Sequence, residues 1–213
     1  MKAIVLHSGG LDSTLCLLMA IEAKREVISL GIDYGQRHRI ELEYASAQCR
    51  KYGAERRLLR VEWDKPAREI PTGRSLDQIR SGVSPAFLPG RNSVFLSLAC
   101  AEAAGTGATE VWIGINAVDF SGYPDCRPEF VDAFKVMNSW AIPRGPEIIT
   151  PLIGMSKPDI AAEALRLGLH HGDTWSCYQP RFTSQGISAC GECDACILHD
   201  HAWQSASNKT VSE

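Results

Sequence analysis

The sequence predicts an α/β fold, a doubly wound and mostly parallel sheet of Rossmann-like type with a zinc-binding segment at its C-terminal end. Three observations carry this. Short apolar runs alternate with helical patterns along residues 1–173, the first run leads into a pair of glycines, and four of the eight cysteines cluster after residue 174. Continuous apolar runs suit strands buried on both faces, and the helices between them cover a parallel sheet.

Ala3, Ile4, Val5 and Leu6 form the first predicted strand. A helix follows over 14–24, with Leu15, Leu18, Met19 and Ile21 apolar at helical spacing. Residues 27–32 read as a second buried strand, 40–52 as a helix stopped by Gly53, and 57–61 as a third strand. Residues 64–90 hold four of the eleven prolines and three glycines, which predicts a long loop. Beyond it the pattern predicts helices over 92–104, 129–140 and 158–167, with strands over 110–115 and 148–150. The expected organisation is a nucleotide-binding domain over 1–173, a zinc-binding segment over 174–204 packed on it, and a flexible tail over 205–213.

Net charge is −3, with 45% hydrophobic and 22% charged residues. A general nucleic-acid or membrane binder would carry a basic excess, so neither partner is expected. The first apolar run is too short for a signal-peptide core. No stretch reaches the roughly 20 apolar residues of a spanning helix. A cytoplasmic protein is expected.

A strand, two glycines and Asp-Ser opening a helix make an anion cradle. Glycines let the backbone approach a phosphate, and the helix N-terminus offers unpaired N–H groups. The cradle runs through His7, Ser8, Gly9, Gly10, Leu11, Asp12, Ser13 and Thr14. Asp12 would repel bare phosphate, which predicts a bridging Mg2+. The lysine and four-residue spacer of the phosphoryl-transfer loop are missing, which argues against γ-phosphate transfer. The bland alternative is a helix cap and a tight turn. The loop resembles the SGG-x-DS loop of the ATP pyrophosphatase superfamily, which implies ATP, attack at the α-phosphate and release of pyrophosphate.

Cys177, Cys190, Cys193 and Cys196 supply four soft ligands, as tetrahedral Zn2+ requires. Four thiolates leave no open position, so the site is expected to be structural. An iron–sulfur cluster and a redox Cys-x-x-Cys pair are the rivals. The ferredoxin pattern needs a fourth Cys and a Pro after the three, and Ile197, Leu198, His199 and Asp200 follow instead.

Eight stretches in order resemble one family, the 7-cyano-7-deazaguanine synthases of queuosine synthesis. They are SGGLDST at 8–14, DYGQRH at 33–38, GRN at 90–92, GINAVDFSGYPDCRPEF at 114–130, TPL at 150–152, SK at 156–157, TWSCY at 174–178 and CGECDAC at 190–196. The resemblance implies conversion of 7-carboxy-7-deazaguanine to the nitrile with ammonia and two rounds of ATP activation. It implies catalytic roles for Asp12, Ser13 and Lys157, with Lys157 at the α-phosphate, and places Arg91 and Asn92 over the nucleotide. Asn116, Asp119 and Asp125 can accept from the purine-like edge, Phe120 and Tyr123 can stack, and Arg127 can neutralise a carboxylate or phosphate. Each has a plainer alternative: Asp125 caps a turn, Tyr123 packs, Arg127 pairs with Glu129.

One position departs from the family pattern. Members commonly carry Arg three residues after the last zinc cysteine, where this chain has His199. A divergent paralogue acting on a related deazapurine, or attaching one to a macromolecule, is the alternative this raises. A non-enzymatic zinc-ribbon-like module ranks last, because Glu192 and Asp194 interleave the cysteines where a nucleic-acid binder would have bases. No glutaminase pattern is visible, so free ammonia is the expected nitrogen donor. A homodimer is an expectation with no residue assigned to it.

Overall fold

A computed structural model of the chain describes residues 1–36, 39–62, 69–116, 123–184 and 186–210. Five parallel strands form its main sheet: β1 (Lys2–Leu6), β2 (Glu26–Asp33), β3 (Glu55–Arg60), β4 (Glu110–Trp112) and β5 (Glu147–Ile149). Their order is β3-β2-β1-β4-β5. The chain therefore winds outward from β1 to β3, then returns to place β4 on the other side of β1. In such sheets ligands bind outside the carboxyl ends of the strands where the winding reverses. Here that is the β1–β4 junction, with Val5 opposite Trp112 in the register.

Period-two alternation along β1 explains why both faces need cover. Ala3 and Val5 enter one core cluster, Ile4 and Leu6 the other. The first face is covered by α1 (Leu11–Glu22), α6 (Lys157–Arg166) and α7 (Asp194–Thr210), through Leu15, Ile160 and Trp203. The second is covered by α4 (Arg91–Thr106) and α5 (Pro128–Ala141), through Leu96, Cys100 and Phe134. Leu15 and Leu96 are fully buried, each contributing about 1.5–3 kcal/mol by leaving water. Helix α2 (Ile40–Tyr52) follows β2 and ends, as expected, at Gly53 in the left-handed conformation.

Two expectations change. The loop over 64–90 contains a short helix, α3 (Leu76–Arg80), started by a capping box between Ser75 and Gln78. The tail expected from residue 205 is helical through Thr210, and Ala206 is buried in the first core. Ala202, Trp203 and Ala206 recur at helical spacing, so α7 lies along the body of the fold. Before it, β6 (Arg181–Thr183) and β7 (Gly186–Ser188) form an exposed antiparallel hairpin.

Candidate functional site

The β1–α1 loop forms the floor of a cleft of about 310 Å³ at the β1–β4 junction. Gly9 has φ +99°, and a Cβ there would lie 2.2 Å from the carbonyl oxygen of Glu41. Only glycine lets α2 press against the loop at this point. Gly114 does the same on the β4 side, where a Cβ would come within 2.9 Å of the Asp12 carbonyl. Ser13 Oγ accepts the Ser8 N–H at 3.2 Å and lies 3.1 Å from Ser8 Oγ. Thr14, fully buried, donates to the Gly10 carbonyl at 2.7 Å.

Beneath the loop lies a buried polar layer. His7 Nε2 is 2.9 Å from Gln48 Oε1 and its Nδ1 is 2.8 Å from Ser29 Oγ. A carbonyl oxygen only accepts, so this pattern fits the Nε2–H tautomer. Burial, with the Arg56 charge adding, pushes the imidazole down to about 3. Arg56 Nη1 donates to the His7 carbonyl and to Ser29 Oγ, each at 2.8 Å. Gly31 makes room for it, since a Cβ would lie 2.2 Å from that guanidinium.

Asp12 opens α1 at the mouth of the cleft. Its Oδ2 accepts from Asn116 Nδ2 at 2.6 Å and is ion-paired with Lys157. Its Oδ1 is buried with no hydrogen-bond partner among the described residues. An orphaned carboxylate oxygen beside an anion cradle has the donor chemistry of a hard-cation ligand.

Cys177, Cys190, Cys193 and Cys196 are all buried, and their sulfurs lie within 4.8 Å of one another. Backbone N–H groups of Gln179 and Cys190 donate to Cys177 Sγ at 3.3 and 3.2 Å. That of Cys193 donates to Cys190 Sγ at 3.4 Å. Thiolate charge is stabilised by such donors, and the set can hold a metal ion.

The model of the queuosine biosynthesis protein QueC matches residues 2–207. The chain belongs to the QueC family. It is 55% identical over 203 residues to 7-cyano-7-deazaguanine synthase 2 of Rhodopseudomonas palustris, covering 95% of this chain and 97% of that one. It is 41% identical over 218 residues to 7-cyano-7-deazaguanine synthase of Myxococcus xanthus, covering 96% and 94%. Among solved structures, NMN synthetase from Francisella tularensis superposes with a TM-score of 0.53 at 11% identity, over 81% of this chain and 63% of that one. That last likeness concerns the fold alone.

In this QueC-family cleft, Ser8, Gly10, Leu11, Asp12 and Ser13 line one side, with Lys157 beside them. Arg91, Asn92 and Tyr123 line the other, and His7 reaches the floor. Gly9 and Thr14 support the loop from behind. Asn116 is fully buried and holds Asp12 in place. Asp125 and Arg127 depart from the expected substrate wall. Asp125 is buried against α4, its Oδ2 accepting the Asn92 N–H, and Arg127 is exposed at the start of α5. Asp119 and Phe120 lie outside the described residues.

Glu41, Trp175, Ser176 and Tyr178 also line the cleft, though none was singled out as a binding residue from sequence. Burial pushes the Glu41 carboxyl up to about 7, against the Gln36 amide and the Arg91 and Arg56 charges. A glutamate in a first helical turn otherwise looks like a surface charge favoured by the helix dipole. His199 lines the cleft as well, with Nδ1 3.1 Å from Ser176 Oγ. Burial pushes its imidazole down to about 4, with the His171 ring at a 4.5 Å centroid distance. A neutral imidazole therefore occupies the position where the resemblance leads one to expect a guanidinium.

Proposed function

We propose that this chain converts 7-carboxy-7-deazaguanine and ammonia to 7-cyano-7-deazaguanine, consuming ATP in two activations during queuosine synthesis. One observation carries the reading. The Asp12–Asn116–Lys157 junction stands at the mouth of a phosphate-type loop, in a chain 55% identical to a relative named for that synthase activity.

In the first activation a carboxylate oxygen attacks the α-phosphorus of ATP and pyrophosphate leaves. The ammonia lone pair then attacks the acyl carbon. AMP departs with the oxygen, and a proton is lost to leave the amide. In the second, the amide oxygen attacks the α-phosphorus of another ATP, pyrophosphate leaves again and one amide proton is lost. The adenylated imidate gives up its N–H proton and AMP, leaving the C≡N bond. A carboxylate or amide oxygen leaves poorly unaided, and the phosphate ester makes both departures feasible.

Backbone N–H groups at the α1 N-terminus and the hydroxyls of Ser8 and Ser13 hold the departing pyrophosphate. Lys157 meets the charge that develops at the α-phosphate. Asp12 Oδ1 offers a ligand for Mg2+, which neutralises phosphate charge when bound. Arg91 and Asn92 stand over the nucleotide, and Tyr123 offers a flat surface to the deazaguanine.

Zinc is the metal the cysteine set favours. With metal–sulfur bonds of about 2.3 Å, a tetrahedral ion spaces its sulfurs about 3.8 Å apart. The Cys190–Cys196 and Cys193–Cys196 sulfurs are 3.9 and 3.6 Å apart. An iron–sulfur cluster, with iron and sulfide atoms between its thiolates, needs a wider ring.

The deciding experiment is mass spectrometry of products from ATP, ammonium and 7-carboxy-7-deazaguanine. Nitrile with two AMP per turnover is expected. ADP in place of AMP, or substrate left unchanged, defeats the reading.

A further inference from the structure

The segment over 70–88 forms part of the cleft wall, through Ile79, Gly82 and Ser84. It is pinned at one end to the cysteine knuckle. Thr72 bridges Cys193 in antiparallel fashion, and the Gly73 N–H donates to the Glu192 carbonyl at 2.9 Å. Asp194 sits between two of the four cysteines, and its side chain is only 6% exposed. The guanidinium of Arg74 grips both of its oxygens, Nε donating to Oδ1 at 3.0 Å and Nη2 to Oδ2. Ser84 Oγ adds a 3.3 Å bond to Oδ2, and Asp194 itself lines the cleft. At the far end Leu88 is buried and the Phe87 ring stacks on Tyr123 at 5.2 Å.

We propose that the Arg74–Asp194 pair is the device by which the metal knuckle positions the 70–88 wall, making Arg74 a positioning residue for small-molecule binding in the cleft. The metal fixes Cys193 and Cys196, and with them the intervening Asp194. Asp194 then fixes Arg74, and Arg74 fixes the wall. A bidentate fork transmits position better than a point charge, so lysine replaces it only in part. The knuckle thus acts on the cleft from a site that touches no reacting atom.

The test is hydrogen exchange of the full chain by mass spectrometry, with metal content measured alongside. Peptides over 70–88 are compared in the metal-loaded wild type, the chelator-stripped wild type, Arg74→Ala and Arg74→Lys. Peptides over β1 serve as an internal control for an intact sheet. With β1 unchanged, exchange over 70–88 is expected to rise at least about tenfold in the stripped chain and in Arg74→Ala, and by less in Arg74→Lys. Exchange in Arg74→Ala within about twofold of wild type overturns the proposal, as does a stripped chain whose wall stays protected. Should Arg74→Ala lose its metal, the metal-loaded Arg74→Lys decides by the same twofold limit. A kinetic arm rests on the ligase reading: KM for the deazaguanine acid should rise about tenfold in Arg74→Ala, with kcat falling less than about threefold. The exchange arm is independent of that reading, so the two can fail separately.

Discussion

The carboxylate of Asp125 accepts the backbone N–H of Asn92 at 3.1 Å, and the Asn92 side-chain amide returns a 3.1 Å bond to the Asp125 carbonyl. Helix α4 begins at Gly90-Arg91 without a side-chain cap of its own. A residue more than thirty positions away therefore satisfies an N–H in its first turn. Asp125→Ala should cost about 1–2 kcal/mol, as loss of a cap does. That lowers Tm by roughly 2–8 °C in a chain of this size. Asp125→Asn should recover most of it. Thermal unfolding measures this, and kcat/KM at a temperature where the variant is folded should stay within about threefold of wild type. A hundredfold loss there would return Asp125 to the substrate wall.

Gly9 and Gly10 are neighbours with opposite tolerances. A Cβ on Gly9 meets backbone atoms of Glu41 at 2.2 Å and Ala45 at 2.8 Å, at φ +99°. A Cβ on Gly10 meets the Trp175 carbonyl at 3.4 Å, at φ −79°. Gly9→Ala should therefore destabilise the fold by roughly 3 kcal/mol and displace α2 from the loop. Gly10→Ala should cost less than about 1 kcal/mol. Urea unfolding of the two variants decides, and equal costs would contradict the geometry.

What the sequence made legible is local. The β1 run, the Ser8–Ser13 loop and the four cysteines each lie within a short window, so period, spacing and residue type suffice to place them. Contacts between distant windows were not legible. Asp125 looked like a substrate acceptor because nothing near it in sequence names Asn92 as its partner. Glu41 reads in sequence as any first-turn helix charge, because the Arg56 and Arg91 charges that face it come from distant windows. Helix α7 was hidden for another reason. Its start overlaps the cysteine pattern, and the metal spacing masked the helical spacing of Ala202, Trp203 and Ala206.

Asp12 has two tasks that one substitution separates. Its Oδ2 holds Lys157 and Asn116, and its Oδ1 is buried without a partner among the described residues. Asp12→Asn keeps the shape and removes the charge. kcat should fall at least about a hundredfold, the scale of losing a charged group that acts on the transition state. Lys157→Met should fall by a similar factor, and the double variant by little more than either, since the two act as a unit. Metal content at the cysteines should not change in any of the three. Full additivity of the two losses would place the residues in separate steps.

Stability should fall as pH drops from 6.5 to 5, and one buried group, His7, and two partly buried ones, His199 and Glu41, set the slope. His7 and His199 are held down to about 3 and about 4, so the unfolded chain binds protons that the folded chain refuses. Their contribution is complete above the ordinary histidine value near 6.5 and is lost as pH falls through the window below it. Glu41, pushed up to about 7, works the other way. The folded chain holds its proton where the unfolded one has released it, so its contribution is lost as pH rises from about 4.5 to 7. Between 5 and 6.5 two histidines oppose one carboxyl, leaving about one net proton. The slope is then at most about 1.4 kcal/mol per pH unit. Urea unfolding at half-unit steps should give this decline. Glu41→Gln should steepen it by removing the opposing proton, and His199→Gln should flatten it. A Glu41→Gln chain with an unchanged or shallower slope would mean that Glu41 is ionised in the folded cleft.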